Sequence, residues 1–224
     1  TSFDAPYTVA RQFATLDLIS GGRSGVNIVT TGNGRSALNY SQAEHKPKPE
    51  RYDIADEFVD VLIGLWDSWE ADAFIRDKET STFFSWDKMH MLNHSGKHFQ
   101  VEGPLNVPRS PQGRPIIIQA GGSDAGRELA AKSADVIFGA SQNMKMAQEF
   151  YRDVKNRLSK YGRQPDDLKI LPGLSVTVAE TKEEAEKRFN ELQDLIHPDH
   201  GLAFLSRRVG HDFTKMDPDL LVPK

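Results

Sequence analysis

The chain contains no cysteine. That excludes a disulfide framework, a thiolate metal site and a cysteine nucleophile, and it fits a reducing compartment, read here as the cytoplasm. Apolar runs such as Val61-Leu62-Ile63 and Ile116-Ile117-Ile118 fall far short of the roughly 18 residues of a membrane span. Blocks of Lys and Arg are missing, and 28 Lys+Arg against 32 Asp+Glu leave a net charge of -4. That mild acidity favours solubility and gives no footing for nucleic acid or a membrane surface. No Ser-His-Asp set or paired-carboxylate spacing stands out, so no catalytic side chain is singled out. The first residue is Thr1 and no charged, apolar leader follows it, so the chain reads as processed or as a piece of a longer one. Its 224 residues suit one domain with a substantial core.

What is present alternates. Ala5 to Ser20 carries Val9, Phe13, Leu16 and Leu18-Ile19 at near-helical spacing and stops at Ser20-Gly21-Gly22. Gly25 to Thr31 is a β-branched run of the buried-strand kind. From Glu50 to about Asp72 the apolar positions Ile54, Phe58, Val61, Leu62, Leu65, Trp66 and Trp69 predict an amphipathic helix whose stripe is core. Residues 83–103 read as an inserted hairpin turning at Asn93-His94-Ser95-Gly96-Lys97. Residues 103–115 hold four prolines in thirteen positions and form a connector, being neither helix nor central strand. Strand and helix then repeat: Ile116 to Gln119, Asp124 to Ser133, Asp135 to Phe138, Met144 to Tyr161, Lys169 to Ala179, Lys182 to Leu195. The tail from His197 reads as loop. This order means parallel strands with right-handed crossovers. Four strands suit either a small open α/β sheet or the middle portion of a (β/α)₈ barrel, which needs eight.

Several residues invite chemistry, each with a plainer explanation. Gln119-Ala120-Gly121-Gly122-Ser123-Asp124 joins a strand to a helix, where exposed amides and the helix dipole suit a phosphate; a simple N-cap by Ser123 or Asp124 explains it as well. Asn27 sits among β-branched neighbours, and either a ligand or a loop backbone would satisfy its amide. Thr30 and Thr31 fall on the rim where parallel α/β folds place their sites. Arg51-Tyr52 opens the long helix after Pro47 and Pro49; a half-buried tyrosine with a paired hydroxyl is the ordinary alternative. His90, His94 and His98 are four apart, but the hairpin chemistry around Ser95-Gly96 argues against a metal face, and no metal is expected. Lys48, Arg109 and Arg114 would suit an anionic substrate, or be structural.

Longer strings are specific enough to carry a resemblance. Residues 10–23, Val26 to Thr31, Glu50-Arg51-Tyr52, Leu65-Trp66-Asp67-Ser68-Trp69, residues 103–115 and Gln119 to Ser123 resemble the nitrilotriacetate monooxygenase component A group of the bacterial-luciferase-like flavin-dependent monooxygenases. The likeness runs from Thr1 to about Leu221, and the proline-rich connector is its most discriminating part. It implies a (β/α)₈ TIM barrel of luciferase-like type that uses reduced FMN as a cosubstrate, supplied by a separate NAD(P)H:flavin reductase, to oxygenate a small organic substrate with O₂. The protein's share is then binding, orientation and exclusion of water. The resemblance places Asn27 against the flavin ring, Arg51 and Tyr52 at flavin and phosphate, Gly122 and Ser123 in the phosphate turn, and Thr1 at or beside a flavin-contacting hydroxyl. It also implies a homo-oligomer. Lys48 stands where family members carry a histidine, four residues before the tyrosine. Family members extend beyond both ends of this chain, so residues 1–224 are expected to be one luciferase-like domain truncated at both ends, with 83–115 as insertion and connector. A truncated relative that binds FMN without catalysis is the alternative.

Overall fold

A computed structural model describes residues 1–209 and 211–216. Contacts divide the chain into one unit of residues 1–173 and a second from Leu174 onward. In the first unit, α1 (Pro6–Ile19) leads to β1 (Gly25–Ile28), α2 (Lys48–Trp66), an inserted hairpin of β2 (His94–Ser95) and β3 (Gln100–Val101), β4 (Ile116–Gln119), α3 (Asp124–Ser133), β5 (Val136–Ala140), α4 (Met144–Leu158) and β6 (Lys169–Gly173).

The four long strands form a parallel sheet in the order β1-β4-β5-β6. The order follows the chain without reversal, so successive right-handed crossovers leave every helix on the same side. Indeed α1 packs on α2, α2 on α3 and α3 on α4. A doubly wound sheet would reverse its order at a switch point; this sheet does not, and it is an arc of a barrel. Register separates its two faces. Ile28, Gln119, Ile137 and Ile170 lie side by side facing the helices, and the first three are buried. Asn27, Ile118, Val136 and Lys169 form the adjoining row on the other face, where Phe138 and Leu171 are about half exposed.

Helix α1 starts with Pro6 at its first turn, a position that uses proline's fixed φ and needs no N–H. Its buried stripe is Ala10, Ala14 and Asp17, with Val9 and Phe13 packed partly buried beside it, while Leu16 and Ile19 are exposed, so only part of the apolar spacing faces the core. The reason is a buried polar centre. Asp17 Oδ1 accepts from the Ser24 amide at 3.0 Å, the Ser24 hydroxyl at 3.1 Å and Gln112 Nε2 at 2.5 Å. Burial pushes this carboxyl up, but the hydrogen bonds from Ser24 and Gln112 outweigh it and hold it below the usual range.

The connector is therefore structural. Gln112 reaches Asp17, Arg109 pairs with Asp67 at 2.9 Å, and Arg114 grips Asp135 through both nitrogens at 2.8 and 3.0 Å. Gly113 takes φ +89° there, a conformation that favours glycine.

Helix α2 ends at Trp66 rather than Asp72. Phe58, Val61, Leu62 and Leu65 are fully buried along it, and Trp66 Nε1 donates to the Ala10 carbonyl at 3.1 Å. The hairpin turns at 96–99, later than its loop-like residues indicate, because His94 and Ser95 already pair with Val101 and Gln100. Glu57 selects that register: it accepts His94 Nε2 at 2.9 Å and the amides of His98 and Phe99 at 2.9 and 2.8 Å. His98 pairs with Asp53 and His90 with Glu70. The three histidines thus go to three separate carboxylates, and no metal-holding cluster exists among the described residues.

In the second unit, Thr181 caps α5 (Lys182–Asp194) by accepting from the Glu184 amide at 3.2 Å. The stretch expected as loop forms α6 (Pro198–Val209). Pro198 sits at its first position, where proline's fixed φ suits a helix start. No described helix is long and apolar enough to cross a membrane.

Candidate functional site

Parallel α/β folds place their sites beyond the carboxyl ends of the strands. Three segments meet there: residues 29–31 after β1, the start of α2, and residues 120–123 after β4. Tyr52 and Ser123, 71 positions apart, come together, with Ser123 Oγ and the Tyr52 hydroxyl 3.4 Å from each other.

The turn before α3 is braced from behind. Gln119, buried on the helix side, accepts the Gly121 amide. Arg127 Nε donates to the Gly122 carbonyl at 3.0 Å and its guanidinium holds Asp153 at 2.8 Å. Gly121 lies so close to Gly126 that a Cβ on either would meet the other's Cα at 2.7 Å. Around Gly122 a Cβ would meet nothing within 4 Å, and this residue is exposed. Ser123 caps α3, its Oγ accepting from the Gly126 amide at 3.4 Å. The N-cap explanation therefore holds, and it leaves the first-turn amides of Asp124 and Ala125 without intrahelical partners. The nearby Asp124 carboxylate would oppose an anion, but Arg157 pairs with it at 2.6 Å. Arg157 also holds Glu128, which Lys160 and Tyr161 together keep down at about 2 against its burial.

Arg51 Nη1 donates to the Lys46 carbonyl at 2.6 Å, while its Nε is buried without a partner. Thr1 donates to the Val29 carbonyl through its backbone nitrogen at 3.0 Å and its hydroxyl at 3.1 Å, and Ser2 to the Thr30 carbonyl at 3.0 Å. Asn27 is exposed on the sheet face away from the helices, so its amide has not been taken up by a buried loop. With Thr1, Asp4, Gln12 and Thr31 it lines a cavity of about 280 Å³ at the edge of β1. Lys48 is exposed at the first position of α2. A cavity of about 590 Å³ lies on the helix-bearing side of β5 and β6 against Phe150, Tyr151 and Pro172; it contains none of the residues singled out in the sequence.

One residue escaped the sequence reading. His45 Nε2 lies 2.9 Å from the Thr31 carbonyl, and its Nδ1 is buried without a partner. Its ring stacks on Phe3 at 5.2 Å, and Phe3 in turn lies parallel to Tyr40 at 4.5 Å. The available signal was modest: a histidine in the loop that runs through Pro47 into the Arg51-Tyr52 helix.

Comparison with known proteins places this geometry. A family model for luciferase-like monooxygenases matches residues 2–216. The chain is 50% identical over 210 residues to the N-acetyl-S-(2-succino)cysteine monooxygenase of Bacillus subtilis (strain 168), covering 94% of this chain and 48% of the relative. It is 46% identical to nitrilotriacetate monooxygenase component A of Aminobacter aminovorans, covering 100% of this chain and 50% of that protein. The crystal structure of a long-chain alkane monooxygenase is similar with a TM-score of 0.89 at 37% identity, over 100% of this chain and 52% of that one. The chain thus spans about half the length of the curated relatives it matches. Fold order, rim geometry and these likenesses converge: the chain belongs to the luciferase-like monooxygenase family.

Proposed function

We propose that this chain carries the FMN-holding part of the oxygenase component of a two-component flavin-dependent monooxygenase. The convergence of Tyr52 and Ser123 at the open start of α3 carries the reading. The residues fit a phosphorylated flavin on their own chemistry. Donors gather where a phosphate needs them, the Asp124 carboxylate at the start of α3 is neutralised by Arg157, and Arg51 Nε is a buried donor with nothing to bind.

In this reading Ser123, the Tyr52 hydroxyl and the first-turn amides of α3 hold the phosphate. Gly122, having no side chain, lets the phosphate approach the backbone closely. Asn27 presents a donor and an acceptor to the polar edge of the ring, with Thr1 beside it. Lys48, at the head of α2, adds positive charge near the phosphate. Reduced FMN, when bound, supplies the electrons with which O₂ delivers one oxygen atom to the substrate and one to water. The chain orients the ring and keeps water away from it, for which the apolar Ile118, Val136 and Phe138 face suits. The substrate is a small organic molecule of the aminopolycarboxylate, sulfone or alkane type. Arg109 and Arg114 are already committed to Asp67 and Asp135, so they do not serve an anionic substrate. A cytoplasmic NAD(P)H:flavin reductase delivers the reduced flavin, and the oxygenase is a homo-oligomer.

The test is oxygen consumption by the chain with a flavin reductase and NAD(P)H. Consumption that rises with one of these substrate types, with oxygenated product formed, supports the reading. Tight FMN binding with only hydrogen peroxide formed favours a flavin-binding relative without catalysis.

A further inference from the structure

The segment joining residue 40 to α2 is tied down twice. His45 meets the Thr31 carbonyl at 2.9 Å, and the next carbonyl, that of Lys46, accepts Arg51 Nη1 at 2.6 Å. The first tie links the rim of β1 to the loop, and the second links the loop to the start of α2. Thr31 takes φ +50°, a left-handed conformation uncommon for a threonine, so its carbonyl is held out of the strand direction.

The first tie also dictates the chemistry of the ring. A carbonyl only accepts, so Nε2 carries the proton; in the neutral imidazole Nδ1 is then a bare lone pair. This tautomer is inferred from the partner that Nε2 faces. Nδ1 is buried and receives no hydrogen bond, and Phe3 stacked on the ring prevents it from turning away freely. A buried acceptor without a donor is costly, and so is the buried donor without an acceptor, Arg51 Nε, six positions further on. Both orphans flank the same short stretch, between the Asn27 cavity, whose rim includes Thr31, and the Tyr52–Ser123 pair. A buried lone pair such as Nδ1 suits a hydroxyl, which can donate to it.

We propose that His45 is a ligand-contacting residue whose Nδ1 accepts a hydrogen bond from a hydroxyl of the flavin's polyol chain, between the ring at Asn27 and the phosphate at Ser123. This rests on the flavin reading given above. It assigns His45 a role distinct from the phosphate contacts, and it requires the Nε2–H tautomer.

His45→Gln separates the two nitrogens. The glutamine amide nitrogen can still donate to Thr31, but nothing replaces Nδ1. Anaerobic titration of the 224-residue chain with reduced FMN, together with thermal melting of the unliganded proteins, reads the outcome. The inference expects an unchanged melting temperature and roughly tenfold weaker binding in His45→Gln, the size of one lost buried hydrogen bond. Long-range ¹H–¹⁵N spectra of the unliganded wild type should show the Nε2–H form. Equal affinity of wild type and His45→Gln, or an Nδ1–H ring, overturns this inference alone. A folded wild-type chain that binds no reduced FMN overturns the flavin reading and this inference with it.

Discussion

Replacing Asp17 by Asn tests whether the proline-rich connector is held by a buried ionised carboxylate. Oδ1 accepts three hydrogen bonds, from the Ser24 amide, the Ser24 hydroxyl and Gln112. A bond to a charged acceptor contributes about 1.5–3 kcal/mol and a neutral one about 0.5–1.5 kcal/mol. Neutralising the group therefore weakens each bond by about 1 kcal/mol, or about 3 kcal/mol for all three. Relief from burying a charge returns part of this, leaving a net loss of about 2 kcal/mol. Urea unfolding followed by tryptophan fluorescence reads it: with a slope of about 1–3 kcal/mol/M the midpoint falls by roughly 1 M at unchanged slope. The pH dependence supplies a second check. The folded carboxyl lies below its ordinary 3.8, so its contribution is present above that value and is lost as pH falls through the lower folded one. Asp17→Asn should flatten that part of the acid limb. A change under about 0.5 kcal/mol, typical of plain surface substitutions, together with an unaltered acid limb would refute the reasoning.

Other outcomes follow from the same structure. Gly126→Ala puts a Cβ 2.7 Å from the Gly121 Cα, a backbone atom that cannot give way cheaply; overpacking of this kind costs about 1–3 kcal/mol, read as a lower melting temperature. Gly122→Ala meets nothing and should leave the unliganded chain's melting temperature within a degree or two, about 0.5 kcal/mol or less. Glu128, held at about 2 by Lys160, Tyr161 and Arg157, stabilises the fold above its ordinary 4.5. That stabilisation disappears as pH falls from 4.5 toward 2, and being partly solvent-screened it amounts to about 1–2 kcal/mol. Acid titration of Glu128→Gln should lack this component, and an identical acid limb would show that the pairing contributes nothing.

Much of the architecture is written in local pattern. The α2 stripe, the Ile116-Ile117-Ile118 strand, and α3 with its Ser123 cap are visible as periodicity and capping chemistry, and the structure reproduces them. What misled was tertiary. Asp17 lies on the inner face of α1 and Leu16 on the outer because Ser24 and the distant Gln112 donate to Oδ1 of the buried carboxylate, information that no helical spacing contains. The hairpin turn moved because Glu57, on another element, accepts the amides of His98 and Phe99. Strand β6 stops at Gly173 although alternation continues through Val176 and Val178, since β-propensity yields a strand only beside a partner. The site shows the same division. Asn27, Arg51-Tyr52 and Gly122-Ser123 stand out as motifs, whereas His45 becomes visible only once Thr31 is folded against it.

The central claim, that the rim joining Tyr52 to Ser123 is a flavin phosphate site, is tested most directly by anaerobic titration of the chain with reduced FMN, monitored by quenching of protein fluorescence. Saturable binding at micromolar concentration, weakened about tenfold or more in both Tyr52→Phe and Ser123→Ala, is the predicted result. Binding by a folded wild-type chain that neither substitution changes, or no binding at all, would contradict it.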